Sequence, residues 1–355
     1  MRAWCPHQLV RDPRAVEPVV LLPGLVLGYF LERGLGDLRL SSVDTGAASR
    51  CNVVRVSVLR AFAPGIYPRS AELVAATRDL DRGRTTAAAV AEQVERDRLA
   101  LVAVQQEAGF ELIVDGMLDW QDLFRPLAER CEGVEARPLT RFLDTNTFFR
   151  ALLVSGTPRL REPMPAPVLP GGWLGTLPSP YALARAAGGA VAAEVWAAQV
   201  LAPQVEAWAS AGAQLIVLDE PFLAREPDGL DELAAGLAVL PAACPLVLRL
   251  PFGDAGPLLP RLLELPLFGI GVDFHATALE ALPRPLPAFL YAGVVDVRSS
   301  IVEDAINVAR FVAELGSLEP HGIAFGPNGD LQFVAEPIAR RKLEQLGQAQ
   351  RALAA

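Results

Sequence analysis

The sequence places two acidic side chains side by side where they could do chemistry. Asp219 and Glu220 follow the apolar run Gln214–Leu218, and Pro221 comes directly after them. Two carboxylates next to a buried strand lose hydration energy, and this loss is compensated only if a ligand or a partner group binds them. The proline restricts the backbone that carries them. A carboxylate in such a place suits an ammonium group or another hydrogen-bond donor. We therefore interpret Asp219 and Glu220 as candidate substrate-binding residues.

Polar residues also follow the other predicted strands and would gather at one rim of the protein. Six of the eight predicted strand ends carry an acid, and three arginines lie near them: Asp115, Asp219 with Glu220, Asp254, Asp273, Asp296 and Asp330, with Arg69, Arg249 and Arg298. An aspartate after a strand also commonly caps the next helix, so each acid has a structural alternative. His275 is interpreted as a local hydrogen-bonding residue, because a metal site needs several converging ligands. The candidate catalytic residues are Asp219, Asp273 and Arg249.

These residues need a scaffold that brings strand ends together, and the chain alternates apolar strands with helices as a parallel α/β fold does. The predicted strands are Leu59–Ala63, Glu111–Asp115, Ala166–Leu169, Gln214–Leu218, Leu246–Pro251, Gly269–Asp273, Ala288–Gly293 and Gly322–Phe325. The predicted helices are Thr86–Ala108, Ala182–Ser210, Leu230–Val239, Gly256–Leu265, Val302–Leu315 and Pro337–Leu353. This pattern predicts a (β/α)8 TIM barrel, whose chemistry sits at the C-terminal strand ends. An open doubly wound sheet is the alternative.

The composition excludes several partners and reactions. The net charge is −9, whereas nucleic acids and anionic membranes attract clustered Lys and Arg, so we expect neither as a partner. Lys342 is the single lysine and is predicted on a C-terminal surface helix, which argues against Schiff-base chemistry. The four cysteines form no C-x-x-C pair, and the apolar run Val19–Leu31 lacks the flanks of a signal peptide. We therefore expect a reduced, cytoplasmic protein.

The character of the chain changes near residue 58. Residues 1–57 carry a net charge of +2 and residues 58–355 a net charge of −11, and only the second part alternates strand and helix patterns. We predict a barrel over 58–355. Residues 1–57 are interpreted as an N-terminal extension that is either poorly ordered or the product of a misassigned start site.

Six segments, in order along the chain, resemble motifs of the cobalamin-independent methionine synthase family: Gly65–Arg69, Val114–Asp122, Arg141–Phe149, Leu177–Tyr181, Leu218–Pro221 and Gly293–Ser299. The resemblance runs from about residue 60 to the C-terminus and implies a TIM barrel. Uroporphyrinogen decarboxylase has a related barrel. It also implies transfer of a methyl group from a folate or another donor to a thiol such as homocysteine. By this resemblance the substrate-binding residues are Gly65, Tyr67, Arg69, Asp115, Asp144, Asn146, Asp219, Glu220, Asp296 and Arg298.

The residues that hold the zinc of that family are not retained. The family's zinc converts the thiol into the nucleophilic thiolate. Its ligand positions fall on Arg249, Pro251, Asp273 and Gly329, and one carboxylate does not make a zinc site. Cys244 precedes strand five, at the wrong end of the barrel, and Cys131 is predicted on a helix. We therefore predict no metal and no other cofactor.

The amino-acid site of the family is also altered. The carboxylate that contacts the homocysteine ammonium from strand two falls on Met117, and a strand-one serine falls on Ile66, whereas Asp219 is kept. Three functions stay open, because a fold does not fix a function. The protein transfers a one-carbon group without its own zinc site; or it is a metal-independent, decarboxylase-like enzyme that uses Asp219, Asp273 and Arg249 on an anionic substrate; or it is a non-catalytic binding or partner subunit. The expected small-molecule partner is an amino acid or a polyacid, with a folate among the candidates. The oligomeric state is not predicted.

Overall fold

The computed structural model describes Leu21–Leu22, Leu25–Phe30, Arg39–Ser42 and residues 60–355 apart from 144 and 146. The chain divides into two compact units, Met1–Arg55 and Val56–Ala355. In the first unit, β1 (Leu21–Leu22), β2 (Leu25–Phe30) and β3 (Arg39–Ser42) form an antiparallel sheet. The interpretation of residues 1–57 as an extension or a start-site artefact stays a prediction.

The second unit is built on eight parallel strands, with one antiparallel hairpin inserted between the second and the third. The parallel strands are β4 (Arg60–Ala61), β5 (Leu112–Ile113), β8 (Gly172–Pro178), β9 (Ala213–Asp219), β10 (Leu246–Leu250), β11 (Gly269–Asp273), β12 (Phe289–Val295) and β13 (Gly322–Pro327), and the hairpin is β6 (Cys131–Arg141) with β7 (Phe148–Leu160). The order in the sheet is β4-β13-β12-β11-β10-β9-β8-β5. The two terminal strands come together through their loops, where the Tyr67 amide donates to the Gly116 carbonyl at 2.9 Å. The predicted TIM barrel is confirmed.

Helices connect the strands. They are α1 (Ala71–Asp81), α2 (Ala87–Ala108), α3 (Arg125–Ala128), α4 (Pro180–Ala186), α5 (Ala193–Trp196), α6 (Ala202–Ser210), α7 (Leu230–Ala238), α8 (Leu259–Leu262), α9 (Ala305–Leu315) and α10 (Glu336–Ala354), and a π-helical turn, Ala197–Leu201, joins α5 to α6. Side-chain oxygens of Ser70, Thr86 and Ser179 cap the amino ends of α1, α2 and α4, which satisfies backbone N–H groups that lack a partner inside the helix. In the part of the chain that the structure describes, no helix is long and apolar enough to span a bilayer.

The strands that were easiest to predict are buried on both faces. All five residues of β10 and all five of β11 are buried, because helices cover one side of the sheet and the barrel interior covers the other. Such strands are continuous apolar runs, and the predicted bounds of β9, β10 and β11 differ from the observed ones by at most one residue at either end.

Several local predictions differ from the structure. Residues 166–169 are irregular and the third strand is Gly172–Pro178. Gly175 of this strand lets the Trp208 ring pack closely, since a Cβ there would lie 2.5 Å from that ring. The predicted helix over Ala182–Ser210 is broken between α4 and α5. Cys131 begins β6 rather than lying on a helix. Helix α1 was not predicted.

A further correction concerns Lys342, which was predicted on a surface helix. Its side chain is fully buried on α10, and its ammonium donates to the Ile301 carbonyl at 2.5 Å and to both Glu303 carboxylate oxygens at 3.0 and 2.8 Å. A buried lysine is tolerated when it is paired and hydrogen-bonded. The pair fastens the C-terminal helix to the segment that precedes α9.

Lys342→Met should lower the free energy of unfolding by about 1.5–3 kcal/mol, the range for hydrogen bonds to charged groups, because Glu303 loses its counter-charge. The neighbouring Arg341 is exposed on the same helix, so Arg341→Met is a matched control with an expected effect within about 0.5 kcal/mol. Urea unfolding of both variants measures the difference. Equal effects would contradict the assignment of a structural role to Lys342.

Candidate functional site

A buried arginine lies at the centre of the barrel mouth. The Arg249 guanidinium donates from Nε and Nη2 to the two oxygens of Asp219 at 2.5 and 2.6 Å, from Nη2 to Asp330 at 2.6 Å, and from Nη1 to the Pro64 carbonyl at 3.1 Å. Arg249, Asp219 and Asp330 are 2%, 3% and 7% exposed. The bonds to Asp219 are bidentate, which is the strong geometry for an arginine and a carboxylate. The candidate catalytic residues Arg249 and Asp219 are therefore each other's partners.

The sheet register explains how these residues meet. Arg249 on β10 is the register partner of Asp219 on β9 and of Gly271 on β11, so the Arg249 and Asp219 side chains leave the sheet on the same side. A Cβ on Gly271 would lie 3.0 Å from the Arg249 Cα, so the glycine leaves room for the arginine. Asp330 follows β13, on the opposite side of an eight-stranded barrel from β9. The guanidinium thus bridges the mouth.

The first-strand turn is shaped to fit this cluster. Gly65 has φ +97, a conformation that favours glycine, and a Cβ there would overlap the Asp330 carboxylate and lie 2.8 Å from Arg249 Nη2. The Gly65 amide donates to the Thr176 hydroxyl at 3.0 Å. Gly65 thus leaves space for the ion cluster, and its role as a substrate contact stays a prediction.

Two carboxylates share one guanidinium in this cluster, so full ionisation would leave a buried net negative charge. Burial, together with the Asp219 charge, raises the pKa of Asp330 to about 7 against the opposing effect of Arg249. Burial disfavours the charged guanidinium, but the Asp219 and Asp330 carboxylates outweigh burial and raise the pKa of Arg249. Asp330 was not among the predicted site residues, because a Gly-Asp pair after a strand is also an ordinary turn.

Asp273 belongs to a second, separate network. Its Oδ1 accepts from the His275 amide at 2.9 Å and from Asn328 Nδ2 at 3.0 Å, and its Oδ2 accepts from the Phe252 amide at 3.1 Å. The side chain is fully buried, and burial raises the pKa of Asp273 despite these bonds. Three donors hold the carboxylate in place, so the side chain stabilises the turn after β11 and connects it to the neighbouring loops. Its catalytic role stays a prediction.

The Asp273 network continues to the seventh strand. Asn328 Nδ2 also donates to Asp296 Oδ1 at 3.4 Å, and the Arg298 amide donates to the same oxygen at 3.0 Å. Although burial alone would raise it, the pKa of Asp296 is lowered by the Arg298 amide and the neighbouring positive charges. The Arg298 guanidinium lies 3.6 Å from Asp296 and 5.1 Å from the Phe252 ring centroid. Arg298 is half-exposed, unlike Arg249.

The Glu220 carboxylate accepts hydrogen bonds from neighbouring protein groups. It is fully buried, Ser179 donates to its Oε2, and the Phe222 and Leu223 amides donate to its Oε1 at 2.9 and 3.0 Å. Burial raises the pKa of Glu220 to about 7. The second acid of the Asp-Glu-Pro motif therefore ties the turn after β9 to the cap of α4.

The remaining predicted site residues lie at the edge of the mouth. The Tyr67 hydroxyl donates to Glu336 at 3.3 Å, and Arg69 donates to the Leu118 and Trp120 carbonyls at 3.1 and 2.7 Å. Burial raises the pKa of Tyr67 and lowers that of Arg69. Asp115 accepts from the Met117 amide at 3.0 Å and lines a cleft beside β5. Asp144 and Asn146 lie outside the described residues.

An aromatic cluster links the hairpin to the loops after β9, β10 and β13. Phe142, between β6 and β7, contacts Phe222 after β9 and Phe333 after β13, with ring centroids 6.3 and 6.1 Å apart. The Phe252 ring, after β10, lies 5.2 Å from Phe333. Because β9 and β13 face each other across the barrel, the hairpin residue spans the mouth. Sequence analysis missed this cluster because it assigned neither strand of the hairpin.

The residues at the positions of the family's zinc ligands do not fit a zinc ion. A guanidinium stands at the histidine position and repels a cation, and the Asp273 carboxylate already accepts three hydrogen bonds. A Cβ on Gly329, at a cysteine position, would lie 2.6 Å from the Phe252 ring. Among the described residues, no three His, Cys, Asp or Glu side chains come together to hold a metal ion.

The fold matches solved methionine synthases. A B12-independent methionine synthase from a Shewanella species, in complex with selenomethionine, superposes with a TM-score of 0.65 at 15% identity, over 84% of this chain and 98% of that one. A putative vitamin-B12-independent methionine synthase from Listeria monocytogenes gives a TM-score of 0.62 at 16% identity, over 83% and 98%. At this identity the similarity concerns the fold. No protein-family model and no curated protein matches the sequence.

Arg249→Met should lower the free energy of unfolding by about 3–5 kcal/mol, the cost of breaking one side of a buried ion pair, because Asp219 and Asp330 would stay buried without a counter-charge. Arg298→Met removes a half-exposed arginine from the same rim and should cost at most about 1 kcal/mol. Urea unfolding compares the two. Should Arg249→Met not fold, Arg249→Lys, which keeps the charge but loses the bidentate geometry, is expected to be intermediate. A small effect of Arg249→Met would contradict the buried pair.

The raised pKa of Asp330 gives the stability a defined dependence on pH. An unfolded aspartate has a pKa of about 3.9, so folding favours the protonated form, and ionising Asp330 as the pH rises from about 4 to about 7 lowers the stability of the wild type. Asp330→Asn cannot ionise. The free energy of unfolding of the variant minus that of the wild type should therefore increase over this pH range. Glu220 is present in both proteins and cancels in the difference. A difference independent of pH would rule out the raised pKa.

Proposed function

We propose that this chain is a small-molecule-binding protein on a methionine synthase-like barrel, in which the inherited catalytic centre has become part of the structure. One observation carries the proposal: Arg249 fills the barrel mouth and is bonded to both Asp219 and Asp330. Asp219 is the residue that, by resemblance, would hold the ammonium of homocysteine. An internal cation now occupies that role.

Displacing this cation would be unfavourable. An incoming ammonium at Asp219 must first separate the buried pair, and leaving one partner of such a pair uncompensated costs about 3–5 kcal/mol. An ion-assisted hydrogen bond returns only about 1.5–3 kcal/mol. The balance disfavours an amino acid bound at Asp219. It also disfavours zinc-dependent methyl transfer, because the thiol would have no metal to ionise it.

A decarboxylase-like reaction on an anionic substrate is supported less well. Such a reaction needs an arginine whose charge is available to the substrate. Arg249 is neutralised by two carboxylates, and the aromatic cluster of Phe142, Phe222 and Phe333 spans the mouth. Arg298 is half-exposed but is held beside Asp296 and the Phe252 ring.

One-carbon transfer is the second candidate, and the fold favours it. Two solved methionine synthases align with the chain over 98% of their own length, and Asp219 of the Asp-Glu-Pro motif is kept. This activity would require Arg249 to leave the mouth, the hairpin residue Phe142 to move aside, and the thiol to be ionised by a group outside the ion cluster.

Metal analysis combined with ligand titration separates the two candidates. We expect purified protein to lack stoichiometric zinc. We also expect millimolar homocysteine, methionine or methyltetrahydrofolate to leave the melting temperature unchanged, because a ligand that binds the native state must raise it. Arg249→Met is the informative comparison, since it frees Asp219 for an ammonium. Stoichiometric zinc, or methionine formed from homocysteine and methyltetrahydrofolate by the wild type, would overturn the proposal in favour of one-carbon transfer.

A further inference from the structure

A cleft opens beside the barrel where a helix would ordinarily cover the sheet. In a (β/α)8 barrel a helix follows each strand, but only the four-residue α3, the hairpin and the irregular residues 161–171 lie between β5 and β8 here. The resulting cleft has a volume of about 570 Å³ and lies between α2 and α6. Its size falls within the 300–1,000 Å³ typical of small-molecule sites.

Aromatic and apolar side chains form one part of the cleft wall. Trp173 on β8 and Trp208 on α6 meet edge to face, with ring centroids 5.9 Å apart, and Trp120, Met117 and Met164 complete the lining. Trp208 Nε1 donates to the Met164 carbonyl at 3.1 Å, which fixes the ring orientation. Aromatic faces of this kind attract cations as well as apolar groups.

The charges that line the cleft fall into two groups. Arg98 is paired with Glu95, Arg130 with Glu162, and Glu129 with Arg125. Asp115 and Asp119 form no ion pair with any described residue. They stand at the end of the cleft that adjoins the barrel rim.

Asp115 is the better placed of these two acids. Its Oδ1 accepts from the Met117 amide at 3.0 Å, and the carboxylate lines the cleft. Asp119 is exposed at the entrance. Burial raises the pKa of Asp115 and the Asp119 charge adds to the effect, against the opposing effects of the Met117 amide and the Arg98 charge. A cation beside both carboxylates would compensate their charge, whereas an anion would increase the repulsion.

We propose that this cleft binds a small organic cation, a protonated or quaternary amine on an apolar or aromatic body, with the charge at Asp115 and Asp119 and the body against the tryptophans. This inference rests on the proposed binding function and names its ligand class. The occupant is a small molecule rather than a macromolecule, because a cleft of about 570 Å³ admits one small molecule.

Intrinsic tryptophan fluorescence of the full chain tests the proposal, because three of its five tryptophans line the cleft. The probe is benzyltrimethylammonium chloride, and the comparator is 3-phenylpropionate, an anion of similar size. We expect saturable binding of the cation with a dissociation constant of about 1 mM or tighter, and no saturation with the anion.

Variants locate the site. Asp115→Asn should weaken binding of the cation roughly tenfold to a hundredfold, and Asp119→Asn roughly twofold to fivefold, as an exposed charge would. Glu280→Gln removes an exposed carboxylate far along the chain and should leave the affinity unchanged. If Asp115→Asn does not fold, the affinity of Asp119→Asn for the cation becomes the deciding measurement.

Three results would overturn the inference: equal binding of the anion, no saturation with the cation, or an affinity that neither variant changes. Asp219→Asn separates this failure from that of the proposed function. Loss of cation binding in Asp219→Asn but not in Asp115→Asn would place a ligand at the barrel mouth, so the protein would still bind a small molecule but not in this cleft. Neither outcome bears on the zinc content or the methyl-transfer activity of the protein, which test the proposed function separately.

Discussion

The Arg249 guanidinium places a full positive charge at the centre of the barrel mouth, and the surrounding structure compensates for it. Asp219 on one side and Asp330 on the opposite side supply carboxylates, and the Pro64 carbonyl accepts a further hydrogen bond. Gly65 and Gly271 leave the space that the side chain and its partners need. A buried charge is tolerated only when it is paired and hydrogen-bonded in this way. The arginine therefore constrains residues from four different strands or strand ends at once.

This constraint determines what chemistry the mouth can do. In the methionine synthase family, which the sequence resembles, one carboxylate meets a substrate ammonium and neighbouring ligands hold a zinc ion. In the function proposed above, the Arg249 guanidinium takes the place of both cations. The phenylalanines that follow β9, β10 and β13, with Phe142 from the hairpin, form the aromatic cluster. The same hairpin, with only the short α3 before it, stands where a longer helix would follow β5, and the cleft near Asp115 lies beside it.

The sequence predicted the barrel well because strands buried on both faces, such as β10 and β11, are unbroken apolar runs. It did not predict β8, whose glycines allow Trp208 to pack against the strand, or the hairpin, whose strands are partly exposed. The site was harder, because its residues were identified but their pairing was not. Whether Arg249 meets a ligand or Asp219 depends on the register between β9 and β10, and nothing in either strand alone specifies that register. Lys342 shows the same difficulty, since its burial depends on Glu303, 39 residues away.

A double-mutant cycle on Arg249 and Asp219 tests the central claim most directly. The free energies of unfolding of Arg249→Met, Asp219→Asn and the double variant are compared with that of the wild type, which isolates the energy of the pair from the effects of each substitution. A bidentate, buried pair predicts a coupling energy of about 1.5 kcal/mol or more, with the double variant more stable than the sum of the single effects implies. A coupling energy below about 0.5 kcal/mol, the limit of additivity for independent sites, would show that Arg249 does not hold Asp219 and that the inherited carboxylate is available to a ligand.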